Sequence, residues 1–81
     1  MKTIVFSTLA AKQFDNLPPP AQMAIENGLA RYAIDGRGDV KALTGRPGHR
    51  LRIGEYRVIF SEDGAAILAI TLGRRDTNIY A

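Results

Sequence analysis

Three consecutive prolines, Pro18 to Pro20, interrupt the first half of this 81-residue chain and decide what can stand on either side of them. Proline lacks the N–H that a helix interior needs, and it pushes the residue before it out of the helical region, so a helix entering from the N-terminal side stops at Leu17. The last proline of the run suits the first turn of a following helix, where the missing N–H has no intrahelical use. Upstream, Ser7 or Thr8 is placed to cap a helix carrying Leu9, Ala10, Phe14 and Leu17 on its apolar side. Downstream, Ala21, Ile25, Leu29, Tyr32 and Ala33 form one apolar stripe within residues 21–34, while Gln22, Glu26 and Arg31 lie away from it. The stretch Asp35 to Asp39, DGRGD, then ends the second helix with two glycines suited to left-handed backbone. The prolines thus predict a helical hairpin.

Strands flank it. Residues 2–6, KTIVF, are β-branched and aromatic. In residues 49–60, HRLRIGEYRVIF, Arg50 and Arg52 alternate with Leu51 and Ile53, so the arginines share one face and the apolar pair the other. Gly54 and Glu55 mark a turn; beyond it Val58 and Phe60 form the expected buried pair, with Arg57 on the opposite face. Glu62-Asp63-Gly64 is a second turn signal, and residues 65–72 are apolar on both faces. The predicted fold class is α+β: an antiparallel sheet of about four strands, order β-α-α-β-β-β, with the helical hairpin packed on one face. Residues 1–81 hold one hydrophobic core and so one domain.

Composition narrows the chemistry. The chain has no cysteine and a single histidine, His49. A thiolate metal site and a disulfide framework are therefore excluded, and no metal or other cofactor is expected. No run of 18 or more apolar residues is present to span a bilayer, and the N-terminus lacks a signal-peptide pattern, so the expectation is a cytoplasmic protein without a membrane partner.

Charge is distributed unevenly. Residues 1–36 carry three Lys or Arg against three acids, whereas residues 37–81 carry eight against five, so the formal +3 lies wholly in the second half. Two helices cover only one face of a sheet. Arg50, Arg52 and Arg57 are expected on the uncovered face, with Arg74 and Arg75 arriving at the end of the last strand. Guanidiniums gathered with so few carboxylates call for an anionic partner, and phosphate is the first choice.

The segment LTGRPGHRLRIGEYRVIF, followed after a turn by ILAITLGRRDTNIY, resembles the RelE branch of the RelE/ParE toxin superfamily of type II toxin–antitoxin systems. The resemblance runs over essentially the whole chain. It implies a ribosome-dependent mRNA endonuclease (mRNA interferase) that cleaves the A-site codon by attack of a ribose 2′-OH on the adjacent phosphate, without a metal. By position, the family's catalytic residues fall on Arg50, Arg52, Arg57, Arg75 and Tyr80, and Lys41, Arg46, His49 and Arg74 join them as RNA contacts. RelE itself has lysines where this chain has Arg50 and Arg52. Arginine, with a pKa above about 12, cannot act as a general base, which leaves His49 as a candidate or as a packing residue. The implied partners are the ribosome, mRNA and a cognate RelB-like antitoxin with an acidic segment, and the toxin–antitoxin complex is expected on operator DNA. The alternative reading is a ParE-like gyrase inhibitor, or a degenerate toxin acting by protein binding.

Overall fold

A computed structural model describes residues 1–74, in the order β1 (Thr3–Phe6), α1 (Thr8–Asp15), α2 (Pro19–Asp35), β2 (Asp39–Ala42), β3 (His49–Ile53), β4 (Tyr56–Glu62) and β5 (Ala66–Arg74). The Ser7 hydroxyl caps α1 by accepting from the Ala10 N–H at 3.0 Å. The helix ends at Asp15, earlier than the prolines alone require, with Asn16 as its C-cap. Both Pro19 and Pro20 enter the first turn of α2, one more than the sequence suggests, and Pro18 precedes them in an extended conformation. A first turn has several N–H groups to spare, so two prolines fit where one was expected. Gln22, one turn into α2, donates its side-chain amide to the Phe14 carbonyl at 2.9 Å and so satisfies a backbone acceptor at the end of α1. Gly36 closes α2 in the left-handed conformation, φ 70°, its N–H donating to the Tyr32 carbonyl.

The sheet has five strands in the order β1-β5-β4-β3-β2. It differs from the expected antiparallel four in two ways. The first is β2, a four-residue edge strand pairing antiparallel with β3; only Val40 in it packs against the core, so no hydrophobic alternation announces it. The second is direction. β1 runs parallel to β5, because the two helices carry the chain from β1 to the far edge of the sheet and three antiparallel connections bring it back beside β1 in the same direction. The remaining contacts, β3 with β4 and β4 with β5, are antiparallel.

One face of the sheet is packed. Ala10 from α1 and Ile25, Leu29 and Ala33 from α2 close over Leu51, Val58, Phe60, Ile67, Ala69 and Leu72. The α2 stripe matches expectation in Ala21, Ile25, Leu29 and Ala33, all buried, while Tyr32 is partly buried against the same core. Between Ile59 and Phe60 the β4–β5 register slips, leaving Ile70 as an extra residue in β5. The Ser7 hydroxyl donates to the Ile70 carbonyl at 2.6 Å. Farther along the same edge of β5, beyond the end of β1, the Gln13 side-chain oxygen accepts from the Leu72 N–H at 2.7 Å and from the Thr71 hydroxyl at 3.0 Å. Helix α1 therefore replaces, with side chains, the strand that β5 lacks there. At the β4–β5 turn the Asp63 carboxylate accepts from the Ala65 and Ala66 N–H groups at 2.7 and 2.8 Å. Gly64 has no positive φ, so this carboxylate, rather than a left-handed glycine, fixes the turn.

Candidate anion-binding face and its geometry

Register assigns the uncovered face. Arg52 lies directly opposite Asp39 on one side and Arg57 on the other, and Arg57 in turn faces Gly73. The next row on the same face runs Lys41, Arg50, Ile59, Thr71. Residues two apart on a strand share a face, so Arg50, Arg52 and Arg57 form a triangle across β3 and β4. Like charges set directly opposite each other oppose sheet pairing, and Arg52 with Arg57 is such a pair.

Asp39 stands opposite Arg52, but no ion pair in the described fold neutralises this triangle. Ion pairs join Lys2 to Glu62 at 2.6 Å and Arg74 to Glu55 at 3.6 Å; among the described residues Lys41, Arg50, Arg52 and Arg57 have none. Arg50 and Arg57 flank Ile59, which is only 5% exposed although it lies outside the core cluster. Both arginines are half-buried, and the Nε atoms of both are shielded from solvent without a hydrogen-bond partner. An unsatisfied buried donor costs on the order of 1–3 kcal/mol. Two such donors on one open face form a candidate site for oxyanion oxygens.

Beside the triangle, where the β2–β3 loop closes, lies a depression of about 400 Å³ lined by Lys41, Ala42, Leu43, Thr44, Arg46 and Arg50. Gly45 and Gly48 in this loop have φ of 75° and 110°, conformations that bring the loop back onto the sheet. The Leu43 N–H donates to the Gly48 carbonyl at 3.1 Å and closes it. Lys41, Arg46 and Arg50 thus share one hollow, contiguous with Arg52 and Arg57.

His49 lies elsewhere. Its register partner is Phe60, on whose ring it stacks with centroids 5.5 Å apart and planes 24° from parallel. It therefore occupies the helix-covered face, opposite to Arg50, and its Nδ1 is buried without a partner. Arg74 ends β5 at the sheet margin next to Glu55. Arg75 and Tyr80 lie outside the described residues. Sequence reasoning missed Ile59 as the apolar floor between the arginines. Its only signal was an unbroken apolar run, Val58 to Phe60, where alternation predicts a polar residue.

No protein-family model and no curated protein matches the chain. Solved structures do. A chain of the RelBE2 toxin–antitoxin complex of Mycobacterium tuberculosis superposes with a TM-score of 0.78 at 23% identity, covering 91% of this chain and 98% of that one. The archaeal RelE–RelB complex of Pyrococcus horikoshii gives 0.76 at 22% identity, over 91% and 94% of the two chains. The YoeB dimer of Staphylococcus aureus gives 0.70 at 21% identity, over 86% and 92%. Helices on one face, a five-stranded mixed sheet and near-complete mutual coverage make this a RelE-like fold.

Proposed function

We propose that this chain is the toxin of a type II toxin–antitoxin pair and that its basic sheet face cleaves mRNA on the ribosome. One observation carries the reading: Arg50 and Arg57 hold buried, unpartnered Nε donors on an uncovered face that also presents Arg52 and Lys41. The fold adds support, since RelE-like chains are found in complexes with RelB antitoxins.

In this reading the substrate supplies its own nucleophile. The 2′-oxygen bonds to the adjacent phosphorus as the bond to the 5′-oxygen breaks, leaving a 2′,3′-cyclic phosphate on one fragment and a 5′-hydroxyl on the other. Arg57 and Arg50 stabilise the charge that builds on the phosphoryl oxygens; removing one such donor typically costs about 100- to 1,000-fold in rate. Arg52, Lys41 and Arg46 hold the backbone on either side of the scissile bond. The resemblance to RelE assigns Arg75, outside the described residues, to the phosphoryl oxygens and Tyr80 to stacking on a base. Arginine keeps its proton, so the proton leaving the 2′-OH passes to water and the departing 5′-oxygen takes one from water, which leaves the net proton count unchanged. His49, on the far face, is placed to pack rather than to receive it.

The partner that silences such a face carries carboxylates. A RelB-like antitoxin laying an acidic segment over Arg50, Arg52 and Arg57 neutralises the charge that the fold leaves unmatched, and this contact weakens as salt rises. The pair then works in the cytoplasm, with operator DNA bound through the antitoxin.

The test is primer extension on mRNA recovered from translating ribosomes, with the wild type beside Arg57→Ala. Cuts within A-site codons that disappear in the variant are expected. Intact mRNA together with gyrase-dependent DNA breaks would replace the ribonuclease with a ParE-like inhibitor.

A further inference from the structure

A second depression, of about 290 Å³, lies where the C-terminal half of α2 meets the ends of β2 and β3. Arg31 from α2, Arg37 from the α2–β2 turn and Arg52 from β3 line it, with Gly38 and Gly54 contributing backbone and Asp39 the one carboxylate among the lining residues. Asp39 is directly opposite Arg52 in the β2–β3 register, yet the two make no ion pair. Arg31 and Arg37 also lack an ion pair among the described residues, although Asp35 follows Arg31 by one helical turn. Three unpaired guanidiniums therefore surround one hollow.

Two features favour a phosphate-bearing partner over a protein. None of the exposed large apolar side chains of the fold lines this hollow; its apolar lining residues, Leu51 and Ile53, are committed to the core, so it lacks the protruding apolar anchor on which protein interfaces are centred. Over a floor of Leu51 and Ile53, three guanidiniums and the glycine backbone form much of its wall, which suits backbone approach and forked contact with phosphate oxygens. Arg52 moreover belongs to both places: it faces Arg57 in the open-face triangle and reaches this hollow at the sheet edge.

We propose that Arg31 and Arg37, with Arg52, form a second anchor for RNA phosphates, distant from the scissile bond, so that bound RNA continues past the β3 end of the sheet onto α2. The inference rests on the RNA reading above. The anchor acts on length: a short RNA that fills only the open face does not reach it, and a longer one does.

Binding is measured by fluorescence anisotropy with non-cleavable 2′-O-methyl RNAs of about 4 and about 16 nucleotides, across a salt series. The proteins are the wild type and the Arg31→Ala/Arg37→Ala double variant. Both arginines are exposed, so an unchanged thermal midpoint serves as the folding control. The double variant is expected to bind the short RNA as the wild type does and the long RNA about tenfold more weakly. The slope of log K against log salt for the long RNA should fall by about 1.4, the contribution of two phosphate contacts on a single strand. An unchanged slope and affinity for the long RNA, with wild-type binding intact, overturns the anchor and leaves the cleavage reading standing. So does a double variant that keeps RNA binding and loses an acidic protein partner. Failure of the wild type to bind either RNA removes the RNA reading itself, and the anchor with it.

Discussion

Removing the Glu62 carboxylate should cost the fold about 2 kcal/mol at neutral pH and nothing measurable in strong acid. Glu62 ends β4, accepts from Lys2 Nζ at 2.6 Å and from the Tyr32 hydroxyl at 2.5 Å, and so ties the start of β1 and the last turns of α2 to one strand end. Two charge-assisted hydrogen bonds contribute roughly 1.5–3 kcal/mol each when buried. Here the Lys2 and Glu62 side chains are 31% and 19% exposed, and screening by solvent reduces the pair to about 2 kcal/mol. For a domain of this size that lowers the melting temperature by about 8–16 °C. The hydrogen bond from Lys2, then that from Tyr32, holds the Glu62 carboxyl below its ordinary 4.5. A depressed folded-state pKa means that the stabilisation is complete above about 4.5 and is lost as pH falls through the folded-state value. Burial and the Glu62 hydrogen bond push the Tyr32 phenol in the other direction, up to about 12. Its contribution is present below pH 10 and disappears as pH rises from there toward 12. The assay is guanidinium unfolding of wild type, Glu62→Ala and Tyr32→Phe from pH 3 to pH 8. Glu62→Ala within about 0.5 kcal/mol of wild type at pH 7, or a difference that persists unchanged at pH 3, would refute the reasoning.

Three further outcomes follow from the geometry. Gln13→Ala leaves the Leu72 N–H without its acceptor at the edge of β5 and should destabilise the fold by about 1–2 kcal/mol, with amide exchange at Leu72 accelerated relative to Val58. Gly28→Ala places a Cβ 2.6 Å from Ile53 Cδ1 and 2.7 Å from Cγ1, so about 1 kcal/mol of overpacking should outlast the gain in helix propensity, and in an Ile53→Ala background, which lacks both atoms, Gly28→Ala should cost nothing in a denaturant titration. His49→Phe keeps the stack on Phe60 and removes a buried unpartnered nitrogen, so it should raise thermal stability and leave the proposed mRNA cleavage intact; loss of that cleavage would make His49 part of the chemistry.

Much of this arrangement can be read from local rules. The prolines delimit two helices, the α2 stripe identifies its buried side, and alternation through Arg50, Leu51, Arg52 and Ile53 separates the basic face from the packed one. Each depends on a period that one element carries by itself. What eluded the sequence depends on distant neighbours. β2 becomes a strand because β3 offers it an edge, and its residues Asp39, Lys41 and Ala42 are exposed, which leaves no periodic imprint. Parallel pairing of β1 with β5 is fixed by where the helices return the chain, not by any residue of β1. The hollow at Arg31 and Arg37 joins residues that look like an ordinary solvated helix face until α2 is docked beside Arg52.

The pairing of β1 has a consequence for timing. Its sheet partner is β5, so Thr3 meets Ala66 and Phe6 meets Ala69, and the hydroxyl that caps α1 bonds to Ile70. The first strand therefore waits for the last. During synthesis the N-terminal half emerges with its apolar side uncovered, and the hairpin of β3 and β4 emerges without the strand that flanks β4. Contacts this distant in sequence form late and slowly, and here they form only after β5 itself has left the exit tunnel. The basic face on β3 and β4 therefore gains its flanking strand, and β1 its only sheet partner, in a single late step.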